Sequence, residues 1–147
     1  MKSFYERARE LNDTLLKDRR WLHQHAEVGD QLPETVKYVM TRLREMGLEP
    51  REICPGGIVA HIYGKKPGKT YLLRADMDAL PMQEQNDLPF RSQTANAHNC
   101  GHDMHTAMLL GAAAGALLQG GGAEWTGFFA CAAAWILMKA AEWAGRR

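Results

Sequence analysis

His98-Asn99-Cys100-Gly101-His102-Asp103-Met104-His105 sets three imidazoles, a thiol and a carboxylate within eight residues, the densest run of metal-binding groups in a chain of 147 residues. No histidine occurs in the 42 residues that follow it. Cys100 and His102 stand two apart. In an extended segment alternate side chains face the same way, so both would meet one ion, with His98 on that same face. A thiolate beside an imidazole suits Zn²⁺ or a related first-row divalent ion, but even an open catalytic zinc takes three ligands from protein. The same pair also reads as a buried thiol next to a hydrogen-bonded histidine. His105, at the start of a helix, either turns back toward the site or serves in capping and packing.

Working outward, the Ala- and Leu-rich residues 104–118 predict a helix that is apolar on most sides and therefore buried. Residues 76–99 read as a long loop punctuated by Pro81 and Pro89, and a loop of that length is usually functional. It opens with Arg74-Ala75-Asp76-Met77-Asp78-Ala79-Leu80-Pro81, at the end of a predicted strand over 70–75. Carboxylates at strand ends commonly sit in clefts, where they orient a ligand histidine. The alternative is a solvated loop in which Arg74 pairs with Asp76 or Asp78. An earlier strand over 58–63 is β-branched and aromatic, and the turn chemistry of residues 64–69 would join the two strands as a hairpin.

Apolar residues at three- to four-residue steps predict one amphipathic helix over 3–25, on which His23 and His25 read as surface or packing residues. A second helix starts near Pro33, and Gly47 stands where a C-terminal cap belongs. Cys54, in a turn, has no partner that would activate it. Eighteen basic and 17 acidic residues leave a net charge of +1, which argues against nucleic acid as a partner. Three scattered cysteines give no disulfide framework. A charged N-terminus without an apolar stretch, and no apolar run near the ~20 residues of a membrane-spanning helix, predict a cytoplasmic protein.

These segments resemble the M20 metallopeptidase family, in its amidohydrolase branch of hippurate, N-acyl-amino-acid and auxin-conjugate hydrolases. The matching residues are Trp21-Leu22-His23-Gln24-His25-Ala26-Glu27-Val28-Gly29, then Gly57-Ile58-Val59-Ala60, then 73–82 and 98–113. The likeness runs from about residue 10 to residue 118 and returns briefly at Glu124-Trp125-Thr126-Gly127. It implies an α/β fold, a mixed-sheet catalytic domain into which the family inserts a lid that commonly mediates dimerisation. It further implies that Cys100 and His102 are ligands of a divalent ion (Zn, Mn, Co or Ni) and that Asp78 and Asp103 are supporting carboxylates. The implied substrate is a small N-acyl amino acid, hydrolysed at its amide bond.

The chain also departs from the family pattern. Ala26 replaces the usual proline before Glu27, and the loop before His98 looks slightly shortened. The family carries a Gln-Pro-x-Glu-Glu segment soon after the 104–118 helix, the source of the general-base glutamate, and further ligand histidines beyond the lid. Here the carboxylates after Asp103 are Glu124 and Glu142, and neither sits in such a motif. Residues 1–118 are therefore expected to be the N-terminal part of the catalytic domain, without the lid and dimerisation domain. Residues 119–147 are expected to be a divergent Gly-, Ala- and Trp-rich tail, with one helix over 128–144. A frameshift near Gly127 would explain that tail. Suitable codons for Met138-Lys139-Ala140-Ala141-Glu142-Trp143-Ala144-Gly145, read one base earlier, spell Asp-Glu-Gly-Gly-Arg-Met-Gly-Gly, close to what the family has after its Glu pair. The expectation is a chain inactive alone. The alternative is a non-catalytic module that binds a partner through its apolar C-terminal segment.

Overall fold

A computed structural model describes residues 3–64, 69–118 and 128–132. The N-terminal helical region is two helices rather than one, α1 (Phe4–Glu10) and α2 (Asn12–Gln24). Ser3 and Glu6 form a reciprocal capping box at the start of α1, satisfying amides the first turn leaves without partners. The break falls at Leu11, directly before Asn12 and Asp13, whose short polar side chains favour a helix start over a helix interior.

Helix α3 (Pro33–Glu45) begins at its proline as expected. Its first turn is capped from a distance: the Glu27 carboxylate accepts hydrogen bonds from the amides of Glu34 (3.2 Å) and Thr35 (2.8 Å). At its other end Gly47 adopts φ +80°. There the Leu48 amide reaches back to the Leu43 carbonyl (3.1 Å) and the Gly47 amide to that of Arg44 (2.8 Å). That is the glycine-terminated helix end, a conformation in which any side chain is strained.

Four strands follow: β1 (Arg51–Cys54), β2 (Gly57–Ile62), β3 (Tyr71–Ala75) and β4 (Phe128–Ala132), in spatial order β1-β2-β4-β3. Two sequence expectations are corrected here. First, β2 and β3 are not a hairpin, because β4 lies between them, antiparallel to β2 and parallel to β3. Second, residues 128–132 are strand and not the start of a helix over 128–144; the remainder of that stretch lies outside the described residues. A short apolar run does not distinguish a buried strand from a buried helix by periodicity, and here the open sheet position decides. The strand β1, too polar to stand out in sequence, pairs with β2.

Helix α4 (His102–Leu118) packs against α2 on one side and β3 on another. The helices approach closely at Gly111, where a Cβ would lie 2.5 Å from Leu15 Cδ2 and the leucine side chain would have to shift. Burial of α4 is one-sided and not all-round: Asp103, Thr106, Ala107, Leu110 and Ala113 are buried, while Met104 and Met108 are exposed. The core joins Leu22, Val36, Val39, Leu43, Ile58, Ala60, Met77 and Leu110 across three helices, the sheet and the loop. Among the described residues no helix is long and apolar enough to cross a membrane.

Leu22, 1% exposed, stands in that core with contacts on several elements. Leu22→Ala is expected to lower the unfolding free energy by about 2–5 kcal/mol, through lost transfer energy and the cavity left behind. Urea unfolding checks it; an unchanged midpoint would mean that α2 does not anchor the core.

Candidate metal centre

The site lies where β3 ends and α4 begins. Residues 76–99 contain no helix or strand of their own, as expected, yet they are tied down along their length. The Ala79 amide donates to the Glu27 carbonyl (2.6 Å), Leu80 and Ala97 exchange backbone bonds (3.0 and 3.1 Å), and Thr94 Oγ1 donates to the Ala26 carbonyl (2.8 Å). The segment around Ala26 and Glu27 therefore serves as the bed on which the loop lies.

Asp78 meets His102. The His102 Nδ1 is 2.9 Å from the Asp78 carbonyl oxygen and 3.0 Å from Asp78 Oδ1. Both of these are acceptors, so Nδ1 carries the hydrogen and Nε2 keeps its lone pair outward, the arrangement in which a carboxylate orients a ligand histidine. Asp76, one strand pleat away, forms an ion pair with Arg74 through Oδ1 and turns Oδ2 to within 3.8 Å of His102 Nε2. The Arg74 pairing and the carboxylate–histidine contact thus occur together, Arg74 taking Asp76 while Asp78 takes His102. Asp76, His102 and His105 present donor atoms all within 4.8 Å of one another, the one such group among the described residues. Two imidazoles and a carboxylate fit a divalent first-row ion. The sequence hint for His105 was its i, i+3 spacing from His102 at a helix start, which puts both on one face.

Cys100 is placed differently. Asn99 and Cys100 make a turn, Gly101 adopts φ +90°, and His102 opens α4. The extended segment that would align His98, Cys100 and His102 on one face does not exist, because the chain turns between them. The Cys100 side chain is exposed and lies outside the three-donor group.

Asp103, 1% exposed, faces inward. Its Oδ2 lies 2.7 Å from His23 Nδ1 and 2.9 Å from Arg19 Nε. His23 Nε2 in turn lies 3.0 Å from Oε1 of the buried Glu84. His23 is therefore neither a surface residue nor simple packing, but a bridge between two buried carboxylates. Burial opposes ionisation of Glu84, but the Ser92 amide and His23 outweigh it and hold the carboxyl below its ordinary range. His25 stacks on Trp21, with ring centroids 3.9 Å apart, and takes no part in the site.

His98 is 4% exposed, and neither ring nitrogen has a hydrogen-bond partner among the described residues. Burial, only partly opposed by the nearby Asp103 charge, pushes its pKa from 6.5 down to about 4. In metal-free buffer the unfolded chain takes up a proton at this residue near 6.5, while the folded protein stays neutral there down to about 4. Stability from His98 is thus complete above that window and is lost as the pH falls through it, by about 1.4 kcal/mol per pH unit. Urea unfolding across the window should show a shallower pH slope for His98→Asn than for the parent chain; parallel slopes would assign the effect elsewhere.

The model of Peptidase family M20/M25/M40 matches residues 72–120. Thermostable carboxypeptidase 1 of Saccharolobus solfataricus is 46% identical over 108 residues, covering 71% of this chain and 28% of that protein. An N-acyl-L-amino acid amidohydrolase of Geobacillus stearothermophilus is 42% identical over 106 residues, covering 71% of this chain and 29% of that protein. The chain thus spans less than a third of the length of these curated relatives. A solved Bacillus subtilis structure, described as a dinuclear metal binding peptidase from the M20 family, superposes with a TM-score of 0.76 at 37% identity. That superposition covers 84% of this chain and 35% of the solved one. These matches agree: the chain belongs to peptidase family M20/M25/M40, of whose fold it holds a part.

Proposed function

We propose that this chain carries part of a metal-dependent hydrolase of amide bonds in small N-acyl amino acids, and that by itself it turns over little or no substrate. The observation that carries the reading is His102, fixed by Asp78 at the carboxyl end of β3 with its Nε2 left for a ligand. The names of the relatives supply the substrate class. In this reading Cys100 and His102 bind the ion, Asp78 holds the His102 ring, and Asp103 braces the first turn of α4 through His23. A bound divalent ion (Zn, Mn, Co or Ni) supplies Lewis-acid activation of water and of the amide carbonyl. A glutamate to receive the proton of the attacking water is the part the chain lacks, since Glu124 and Glu142 stand outside any Glu-Glu motif. Residues 1–118 form the N-terminal part of the catalytic domain and 119–147 a divergent tail. We place the protein in the cytoplasm, with no nucleic acid partner.

The test is incubation of the purified chain with Zn²⁺, Mn²⁺ or Co²⁺ and a panel of N-acyl amino acids, following release of free amine. Release at the level of the metal salt alone is expected, because the proton-accepting group is missing. Turnover that disappears in Cys100→Ala would overturn the claim of inactivity.

A second reading, a non-catalytic module that joins a partner, is favoured by β3, which is an edge strand among the described residues. Tyr71, Leu72 and Leu73 are exposed there, with Met104 and Met108 exposed on α4. The apolar C-terminal segment first considered for this role lies, beyond residue 132, outside the described residues. Sedimentation velocity should then show association that grows with concentration, whereas a monomer at every concentration removes this reading.

A further inference from the structure

We propose that Asp76 and His105 join His102 as ligands of a single divalent ion in this chain. The inference rests on the reading of this region as a metal centre and gives His102 two partner ligands in a group that Cys100 stands outside.

The separation of His102 Nε2 and Asp76 Oδ2, 3.8 Å, is too long for a hydrogen bond. It is the right length for two atoms that share an ion. Donors each about 2.1 Å from a metal lie roughly 3.4 Å apart at a tetrahedral angle and ~4.2 Å apart when opposed. The lone pair of Nε2 faces this gap because Asp78 has already taken the hydrogen on Nδ1. Asp76 divides its two oxygens, Oδ1 to Arg74 and Oδ2 to the gap, so the guanidinium steadies the carboxylate without occupying the second oxygen.

His105 completes the set one helical turn on. Its ring lies 5.4 Å from that of His102, inclined by 30°, and its donor nitrogen falls within 4.8 Å of both other donors. Being exposed, it can close the last few tenths of an ångström by rotation. Thr106 Oγ1 donates to the Asp76 carbonyl (2.8 Å), pinning the end of β3 to the first turn of α4, so the carboxylate and the two imidazoles are held on one frame. None of the three comes from beyond β4. The site is open on its His105 side, which leaves a further coordination position to water or substrate.

Cobalt affinity of the full chain, measured by competition with a chelating dye, tests the assignment, with circular dichroism confirming the fold of each variant. His105→Gln changes an exposed side chain and Asp76→Asn a partly exposed one. Each is expected to weaken Co²⁺ binding tenfold or more, since each removes a ligand. Parent-like affinity in either variant overturns the proposal, as does a parent chain that does not bind cobalt. Affinity and turnover separate the two readings. Normal cobalt binding by the variants sinks the ligand assignment whatever the turnover, and amide turnover by the parent chain sinks the inactive-part reading whatever the affinities.

Discussion

The imidazole of His23, held between the buried carboxylates of Asp103 and Glu84, ties together the three segments from which the site is built. It comes from α2, Asp103 from the first turn of α4, and Glu84 from the loop between β3 and α4. Glu84 also accepts the Ser92 amide (2.7 Å), and its own carbonyl accepts from the Arg91 guanidinium (2.6 Å), so the loop is closed on itself at the same point. Arg19 adds its charge to Asp103 and lies over the Phe90 ring, 4.9 Å from its centroid. Removing one member of such a buried set leaves an uncompensated charge and costs on the order of 3–5 kcal/mol. The loop can therefore lack secondary structure and still hold Asp76 and Asp78 in place.

The sheet supplies the second constraint. With β3 and β4 parallel and in register, Ala75 stands level with Ala132, and both strands deliver their carboxyl ends to the same edge. Asp76 and Asp78 follow directly from one of them. In open α/β sheets, ligands gather outside the carboxyl ends of such strands. The intrusion of β4 between β2 and β3 thus does more than fill the sheet, because a hairpin of β2 and β3 would give the site no neighbouring parallel strand.

How far this was legible in the sequence depends on the range of the interactions concerned. Pro33 and Gly47 bracket α3 by local chemistry alone, whereas Asp76 and Asp78 at a strand end read equally as a solvated loop paired to Arg74, and only their contacts with His102 separate the two. Phe128–Ala132 is strand only because β2 and β3 leave a place for it, and nothing within five apolar residues records that. The break at Leu11 is a small local choice made by Asn12 and Asp13 against a continuous apolar stripe. The face shared by His98, Cys100 and His102 was argued from an extended chain, yet Gly101 at φ +90° and the start of α4 send the three side chains different ways. His23 looked unremarkable on its helix because its partners lie 80 and 61 residues away.

Hydrolysing an amide makes more demands than binding an ion, and they fall on the carboxylates around the candidate centre. Hydrolysis also needs a carboxylate free to receive a proton from water. Asp78 is engaged in orienting His102, and Asp103 is buried against His23 and Arg19. Asp76 is paired with Arg74, Glu84 with His23 and Ser92, and Glu27 with the amides that open α3. Each carboxylate around the centre already has a structural task, and diverting any of them to proton transfer would release the histidine, the loop or the helix that it holds.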